Sequence, residues 1–394
     1  MSDSLFARLT RFPALRFAAA SLVAVALLGA ELARRPVPMP SAQAVWPVGT
    51  KALDESPLQP AGRGHIPMPA NTPAAHASSL LALPASHPAA LMAFWFAGTR
   101  ESAADVGIAA AQFDRARQQW TAARFVVNRH DLGEQLDFGV RRLGNPVAWL
   151  DPQGQIHLFV VATGFGGWAA ARIVHLRQDT PGQGVESLAF DVVRVLPLSW
   201  LWNTSFLVRN APLPLADGGM VLPVHFELGI KYPVALRFDA SGAFKGMVRI
   251  SGRNYLLQPT LLMQGESDWL ALMRDQRPAG KVAVARSTDG GRHWVDRPDL
   301  ALDNPDAAVA GLGVAPGRLF LAHNSSPHAR TALDLSQSGD GVNWPIVQPL
   351  AHGTGRAEFS YPALTWADSS LWVSYTDHRR SIAWQRFSAE PAAR

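Results

Sequence analysis

The sequence predicts an all-β fold, a six-bladed β-propeller preceded by an apolar N-terminal segment. Three observations point there. After Pro69 the apolar runs are short and bounded by Gly, Pro, Asp or Asn, as over Ile156–Val161 and Gly317–His323, and Leu371–Thr376 alternates with period two. The 394 residues hold 32 Gly, 30 Pro and 13 Trp with only 17% charged residues, a mix that opposes both disorder and a long coiled coil. Similar openings then recur at intervals of roughly 45 to 70 residues, the length of a propeller blade with long loops.

Taken in order, the chain begins with an export-type segment. Arg8, Arg11 and Arg16 precede an apolar run from Phe17 to Ala30 that Glu31 closes. A positive stretch followed by an apolar one of this length reads as a secretory signal or an uncleaved anchor. Ala42 and Ala44, two residues apart, offer a cleavage site. The expected division is residues 1–44 as signal peptide or anchor with a Pro-rich tail, 45–73 as linker and 74–394 as propeller. The expected location is outside the cytoplasm, in a periplasm or on the outer face of the inner membrane. The membrane is met only through the N-terminal segment.

Six units follow. Their openings are placed at His76, Asn145, Asn203, Gln258, Asn304 and Tyr361. Each is followed by an apolar strand, a turn and a second apolar strand. Residues 103–117 are ambiguous, since a short helix and a strand over 106–111 both fit. Stacked sheets that close into a ring leave few exposed edges.

Composition also excludes chemistry. Zero Cys rules out a disulfide scaffold, thiolate-bound zinc, iron–sulfur clusters and a Cys nucleophile. Of the net charge of +5, +3 lies in residues 1–44, where Arg8, Arg11, Arg16, Arg34 and Arg35 face only Asp3 and Glu31. The body carries no Lys/Arg block, so no nucleic-acid partner is expected. Scattered His residues and the absence of a phosphate loop, H-E-x-x-H or G-x-S-x-G leave no metal or cofactor expected.

One motif is specific. Ser287, Asp289, Gly291 and Trp294 fit S-x-D-x-G-x-x-W, and Ser338, Asp340 and Trp344 form a second copy one residue shorter, one unit later. In such a box the carboxylate and hydroxyl bond turn amides, Gly takes a conformation closed to other residues, and Trp packs between sheets. These residues are expected to be structural. With the stretches Phe94–Glu101, Arg142–Val147, Gln258–Leu261, Leu272–Arg274, Phe359–Pro362 and Tyr375–Arg379, they make residues 74–387 resemble the sialidase-like (neuraminidase-like) BNR/Asp-box repeat family, and so a propeller of the sialidase type.

That resemblance implies a site. Sialidases hold the sugar carboxylate with three arginines and use an Asp acid/base and a Tyr nucleophile helped by a Glu, an exception to the two-carboxylate scheme. By position, Arg274 and Arg330 resemble two of the arginines, Arg100 a further substrate-binding arginine, Asp105 the acid/base with Glu101 as a substitute, and Tyr361 the nucleophile. Guanidinium suits a carboxylate because it donates two parallel hydrogen bonds. A phenol, with a pKa near 10, needs a neighbour to draw off its proton.

Two positions depart from the pattern. His76 stands where the first arginine is expected and Gln258 where the activating Glu is. Glu358 is the candidate replacement for that Glu. Asn145, Asn304, His225, Glu227 and Arg379 are further funnel candidates, His225 and Glu227 as a same-side pair on one strand. Trp149, Trp168 and Trp202 are candidate sugar-stacking faces. The leading expectation is an exported sialidase-like glycosidase acting on a terminal acidic sugar. The alternatives are a uronate-directed lyase or other glycosidase, and a non-catalytic glycan-binding propeller. The expected partner in each case is an acidic glycan or exopolysaccharide.

Overall fold

Six antiparallel sheets stand around one axis, and their order follows the chain. The computed structural model describes residues 13–33, 38–47 and 57–388. Asp3, Arg8, Arg11, Arg34 and Arg35 lie outside the described residues. The inner strands are Ala74–Ala82, Arg142–Leu150, Phe206–Val208, Leu256–Gly265, Ala310–Ala315 and Phe359–Ala367. The six-bladed propeller expected from the spacing is the observed architecture.

Each blade buries its faces against the next, so the core comprises six separate apolar layers, one at each blade junction. Trp95, Trp269 and Trp372 are almost wholly buried in these layers. Truncating such a side chain to alanine costs about 3–5 kcal/mol. The ambiguous stretch resolves as the strand Gly107–Asp114, buried nearly throughout. Its small Ala109, Ala110 and Ala111 fit between layers where a helix would not.

The ring closes with the N-terminus. Strand Gln59–His65 pairs antiparallel with Ser381–Ser388 and forms the outer strand of the sixth blade. The segment expected as a linker, 45–73, therefore contributes a propeller strand. Further upstream, residues 38–47 run as a strap over the third and fourth blades. Ala42 N–H donates to the Gly290 carbonyl at 3.1 Å and Ala44 N–H to the Glu266 carbonyl at 2.7 Å. Met39 and Ala44 are buried. Gly290 has φ +69°, and a Cβ there would stand 2.0 Å from the Ala42 oxygen, so strap and glycine require each other.

An apolar helix, Pro13–Ala33, precedes the strap. Its window Pro13–Glu31 has mean hydropathy 1.8 and none of it is buried against the propeller. Its far end is tied down. Glu31 accepts hydrogen bonds from Ser199 Oγ at 3.0 Å and Leu201 N at 2.9 Å.

Candidate active site in the funnel

The inner strands share a local device at one end. A non-glycine residue with positive φ opens each: Ala77 (54°), Asn145 (37°), Ser205 (69°), Gln258 (49°), Asp306 (51°) and Tyr361 (53°). In the first, second, fourth and sixth blades the strand register breaks there, the mark of a β-bulge. A bulge re-aims a side chain, and an L-residue held in this region costs about 1–2 kcal/mol. Six such residues gather at one mouth of the ring, and backbone strain of this kind clusters at active sites and ligand clamps. The openings read at His76, Asn203 and Asn304 thus sit one or two residues early; the left-handed positions are Ala77, Ser205 and Asp306. Asn203 and Asn304 close their own loops, through the Leu196 carbonyl and the Leu198 and Ser199 amides, and through both backbone groups of Ala307.

Tyr361 stands at the centre. Its ring lies 4.3 Å from that of His76, and the guanidinium carbons of Arg209 and Arg330 lie 5.1 and 5.9 Å from its centroid. Gln258 Nε2 donates to the Tyr361 hydroxyl at 3.4 Å while Gln258 Oε1 accepts from Arg274 at 3.1 Å. Arg274 also donates to Asp306 Oδ1 at 2.6 Å, and Arg330 donates to the Asp306 carbonyl at 2.6 Å. Arg274, Arg330, Gln258 and Tyr361 are therefore one connected cluster, with Asp306 as its organiser.

His76 is buried, and neither ring nitrogen has a partner among the described residues. Burial, then Arg379, Arg209 and Arg330, hold its pKa well below the usual imidazole value, so it is neutral at pH 7. Arg209 forms the floor. It is 2% exposed and donates to the carbonyls of Ser78 and Pro362, on the first and sixth blades. Burial lowers its pKa to about 10, so it stays charged. Sequence reading missed Arg209 and Asp306. Arg209 follows an apolar triplet, Phe206–Val208, which marks a strand end without marking an axis.

Glu358 is not placed as a base for Tyr361. It accepts from Arg379 Nε at 2.8 Å, Ser360 Oγ at 3.1 Å and Arg330 at 3.4 Å. Burial opposes its charge, but Arg379, Ser360 and Arg330 outweigh it and hold the carboxyl below its usual range. Glu101 bonds the other end of Arg379. Among the described residues no carboxylate hydrogen-bonds the Tyr361 hydroxyl. His225 and Glu227 do pair, at 3.3 Å, and Glu227 is held ionised against its burial by His225, then Arg274 and Lys231.

Beside the funnel, Arg100, Arg129, Arg141 and Arg142 line an open cleft of about 770 Å³ in which Asp105 is the one carboxylate. Asp105 accepts from Thr99 N and Oγ1, both at 2.9 Å, and so fastens its own loop. Asn145 is half-buried at the funnel mouth. Of the candidate stacking tryptophans, Trp149 is buried, Trp168 half-buried and Trp202 53% exposed. Both Asp-boxes lie on the opposite face: Ser287 pairs with Trp269 at the far end of its strand from Arg274. Their hydroxyls accept from Gly291 and Gly341 at 2.8 Å, and Asp289 and Asp340 accept turn amides.

These boxes and blades define a propeller of the sialidase type. The BNR repeat-like domain model matches residues 89–373, and the chain belongs to that family. Among solved structures, the Hadza microbial sialidase Hz136 superposes with a TM-score of 0.63 at 16% identity, over 79% of this chain and 65% of that one. Trypanosoma rangeli sialidase gives 0.62 at 12% identity, over 82% and 59%. This chain thus spans less than two thirds of those sialidases. A protein of unknown function from Dyadobacter fermentans gives 0.65 at 13% identity, over 84% of this chain and 99% of that one. No curated protein sequence matches the chain. At these identities the likeness is one of fold.

Proposed function

We propose that this protein acts on an acidic glycan at the funnel, as an exported glycosidase of sialidase-like design. The observation that carries the reading is the Tyr361 cluster. A strained tyrosine stands on the axis with Arg274 and Arg330 beside it, as anion recognition and a tyrosine nucleophile require. In that chemistry the Tyr361 hydroxyl gives its proton to solvent water as its oxygen bonds to the anomeric carbon and the glycosidic bond breaks; the leaving oxygen takes a proton from an acid, and a water that returns a proton to that acid then breaks the tyrosine–sugar bond and releases the sugar. Asp105 is the acid proposed for the leaving oxygen. The basic cleft beside it supports an acidic chain running outward from the funnel.

A second reading, a glycan-binding propeller without turnover, is favoured by one observation. The hydroxyl of Tyr361 meets the Gln258 amide, which donates a hydrogen bond and cannot take up a proton. Fluorogenic sialosides, uronides and neutral glycosides separate the two, with Tyr361→Phe as control. Turnover of an acidic glycoside that Tyr361→Phe abolishes supports the enzyme. Saturable binding of acidic oligosaccharides without turnover supports the second reading.

The N-terminal helix is proposed to remain as an anchor of the exported chain. Cleavage after Ala44 would cut a strap whose Met39 and Ala44 are buried. The intact mass of the mature protein tests this, since an anchor keeps the residues before Ala44.

A further inference from the structure

The helix Pro13–Ala33 does not end in free space. Glu31, in its last turn, is hydrogen-bonded to the loop joining the second and third blades. That loop belongs to the funnel face, because it links an outer strand to the next inner one. It exposes three consecutive large apolar residues: Trp200 (46%), Leu201 (50%) and Trp202 (53%). Two neighbouring loops of the same face add Phe165 (79%) and Ile230 (59%). Ser205 ties all three together, donating its hydroxyl to the Ala169 carbonyl at 2.6 Å and accepting the Glu227 amide at its own carbonyl at 2.9 Å.

An exposed cluster of this size is costly in water and common where a surface meets something apolar. Tryptophan pairs an apolar ring with an N–H donor and concentrates at membrane–water interfaces. Arg141 lies over the Phe165 ring at 3.5 Å, placing a cation among the exposed apolar groups, as anionic headgroups favour. The helix itself is long enough, at about 1.5 Å per residue, to cross the roughly 30 Å hydrocarbon layer. Glu31, the charged residue that ends the apolar window, stands beside Ser199 and Leu201, so a bilayer crossed by the helix would have its surface there.

We propose that this rim of the funnel face is a membrane-seating surface. Trp200, Leu201, Trp202 and Phe165 enter the headgroup region of the bilayer that holds the helix, and the funnel mouth is thereby held beside the lipid surface. The inference rests on the reading of the helix as a retained anchor. It assigns a lipid surface, rather than a protein, as what covers the rim.

The absence of cysteine in the natural sequence makes the test direct. The full chain is reconstituted into phosphatidylethanolamine/phosphatidylglycerol vesicles as Leu201→Cys, Phe165→Cys and Val342→Cys, each labelled with an environment-sensitive fluorophore. Val342 is 67% exposed on the opposite, Asp-box face. Flotation of the vesicles reads the anchor, and quenching by lipid-borne nitroxides against aqueous iodide reads the seat. The expected result is several-fold stronger nitroxide quenching at positions 201 and 165 than at 342, with iodide quenching in the reverse order. Flotation with all three labels equally open to iodide overturns the seat and leaves the anchor standing. Labels at 201 and 165 shielded from both quenchers point to contact between copies and also overturn it. Failure to float removes the anchor, and the seat with it.

Discussion

Gln258 joins Tyr361 to Arg274: its Nε2 donates to the tyrosine hydroxyl at 3.4 Å, and its Oε1 accepts from the guanidinium at 3.1 Å. The amide thereby fixes the phenol against Arg274 without offering it a base. Gln258→Glu supplies a carboxylate at the same place. If the funnel carries a tyrosine nucleophile, that variant should raise kcat/KM on an acidic glycoside by about 100-fold, the usual scale of a well-placed base. The reading is checked by steady-state kinetics beside Tyr361→Phe and Gln258→Glu/Tyr361→Phe. A gain that survives loss of the hydroxyl would mean that Tyr361 is not the acceptor of the sugar.

Arg209 binds the third blade to the first and sixth through the Ser78 and Pro362 carbonyls. Arg209→Met fills similar volume and leaves both carbonyls without that donor. Each buried orphan costs about 1–3 kcal/mol, so a loss of about 3 kcal/mol is expected in urea unfolding. A loss below about 1 kcal/mol would show that the carbonyls find other donors.

Acid should destabilise the fold through buried histidines. His175 has its pKa pushed down to about 3, first by burial, then by His157, Arg194 and Arg177. His157 and His323 shift the same way, again chiefly by burial. In the unfolded chain these rings take up a proton near pH 6.5, while in the fold they resist it. Their contribution is therefore fully present above about pH 6.5 and lost as pH falls, for His175 down toward pH 3, by up to about 1.4 kcal/mol per pH unit for each ring. Urea midpoints from pH 7 to 4.5 should fall less steeply in His175→Gln than in the natural protein. Equal slopes would remove His175 as a cause.

The Asp-box turns should matter for stability and not for the funnel. Ser338 is buried, and its hydroxyl accepts the Gly341 amide while donating to Asp340. Ser338→Ala is expected to lower stability by about 1–2 kcal/mol and to leave glycan affinity at the funnel unchanged. Thermal melting and a binding isotherm on the same sample measure both. A changed affinity at unchanged stability would contradict the separation of the two faces.

Much of the ring was legible because its signals are local. Turn residues punctuate strands, and an Asp-box is a self-contained hydrogen-bonded turn. Where the opening residue is followed by proline, as at Asn145, Gln258 and Tyr361, the sequence marked the left-handed position itself. At Ala77, Ser205 and Asp306 no proline follows, and the neighbouring His76, Asn203 and Asn304 are the more conspicuous residues in the sequence. Asn203 and Asn304 prove to fasten their own loops. Glu358 lies three residues from Tyr361 in sequence, yet its oxygens belong to Arg330, Arg379 and Ser360. The strand Gln59–His65 carried little apolar pattern, because the outermost strand of a blade is mostly solvated.

The sequence by itself determined the repeat number, the turn chemistry of the Asp-boxes, the apolar N-terminal segment and the arginines and tyrosine worth testing. Only the tertiary structure decided which of them meet. It paired Gln258 with Tyr361, gave Asp306 two arginines to hold, set Arg209 on the axis and tied Glu31 to the loop that exposes Trp200 and Trp202. The reason is that a strand's pattern tells which face is buried but not what stands across the axis. Contacts between residues a hundred positions apart are set by closure of the ring.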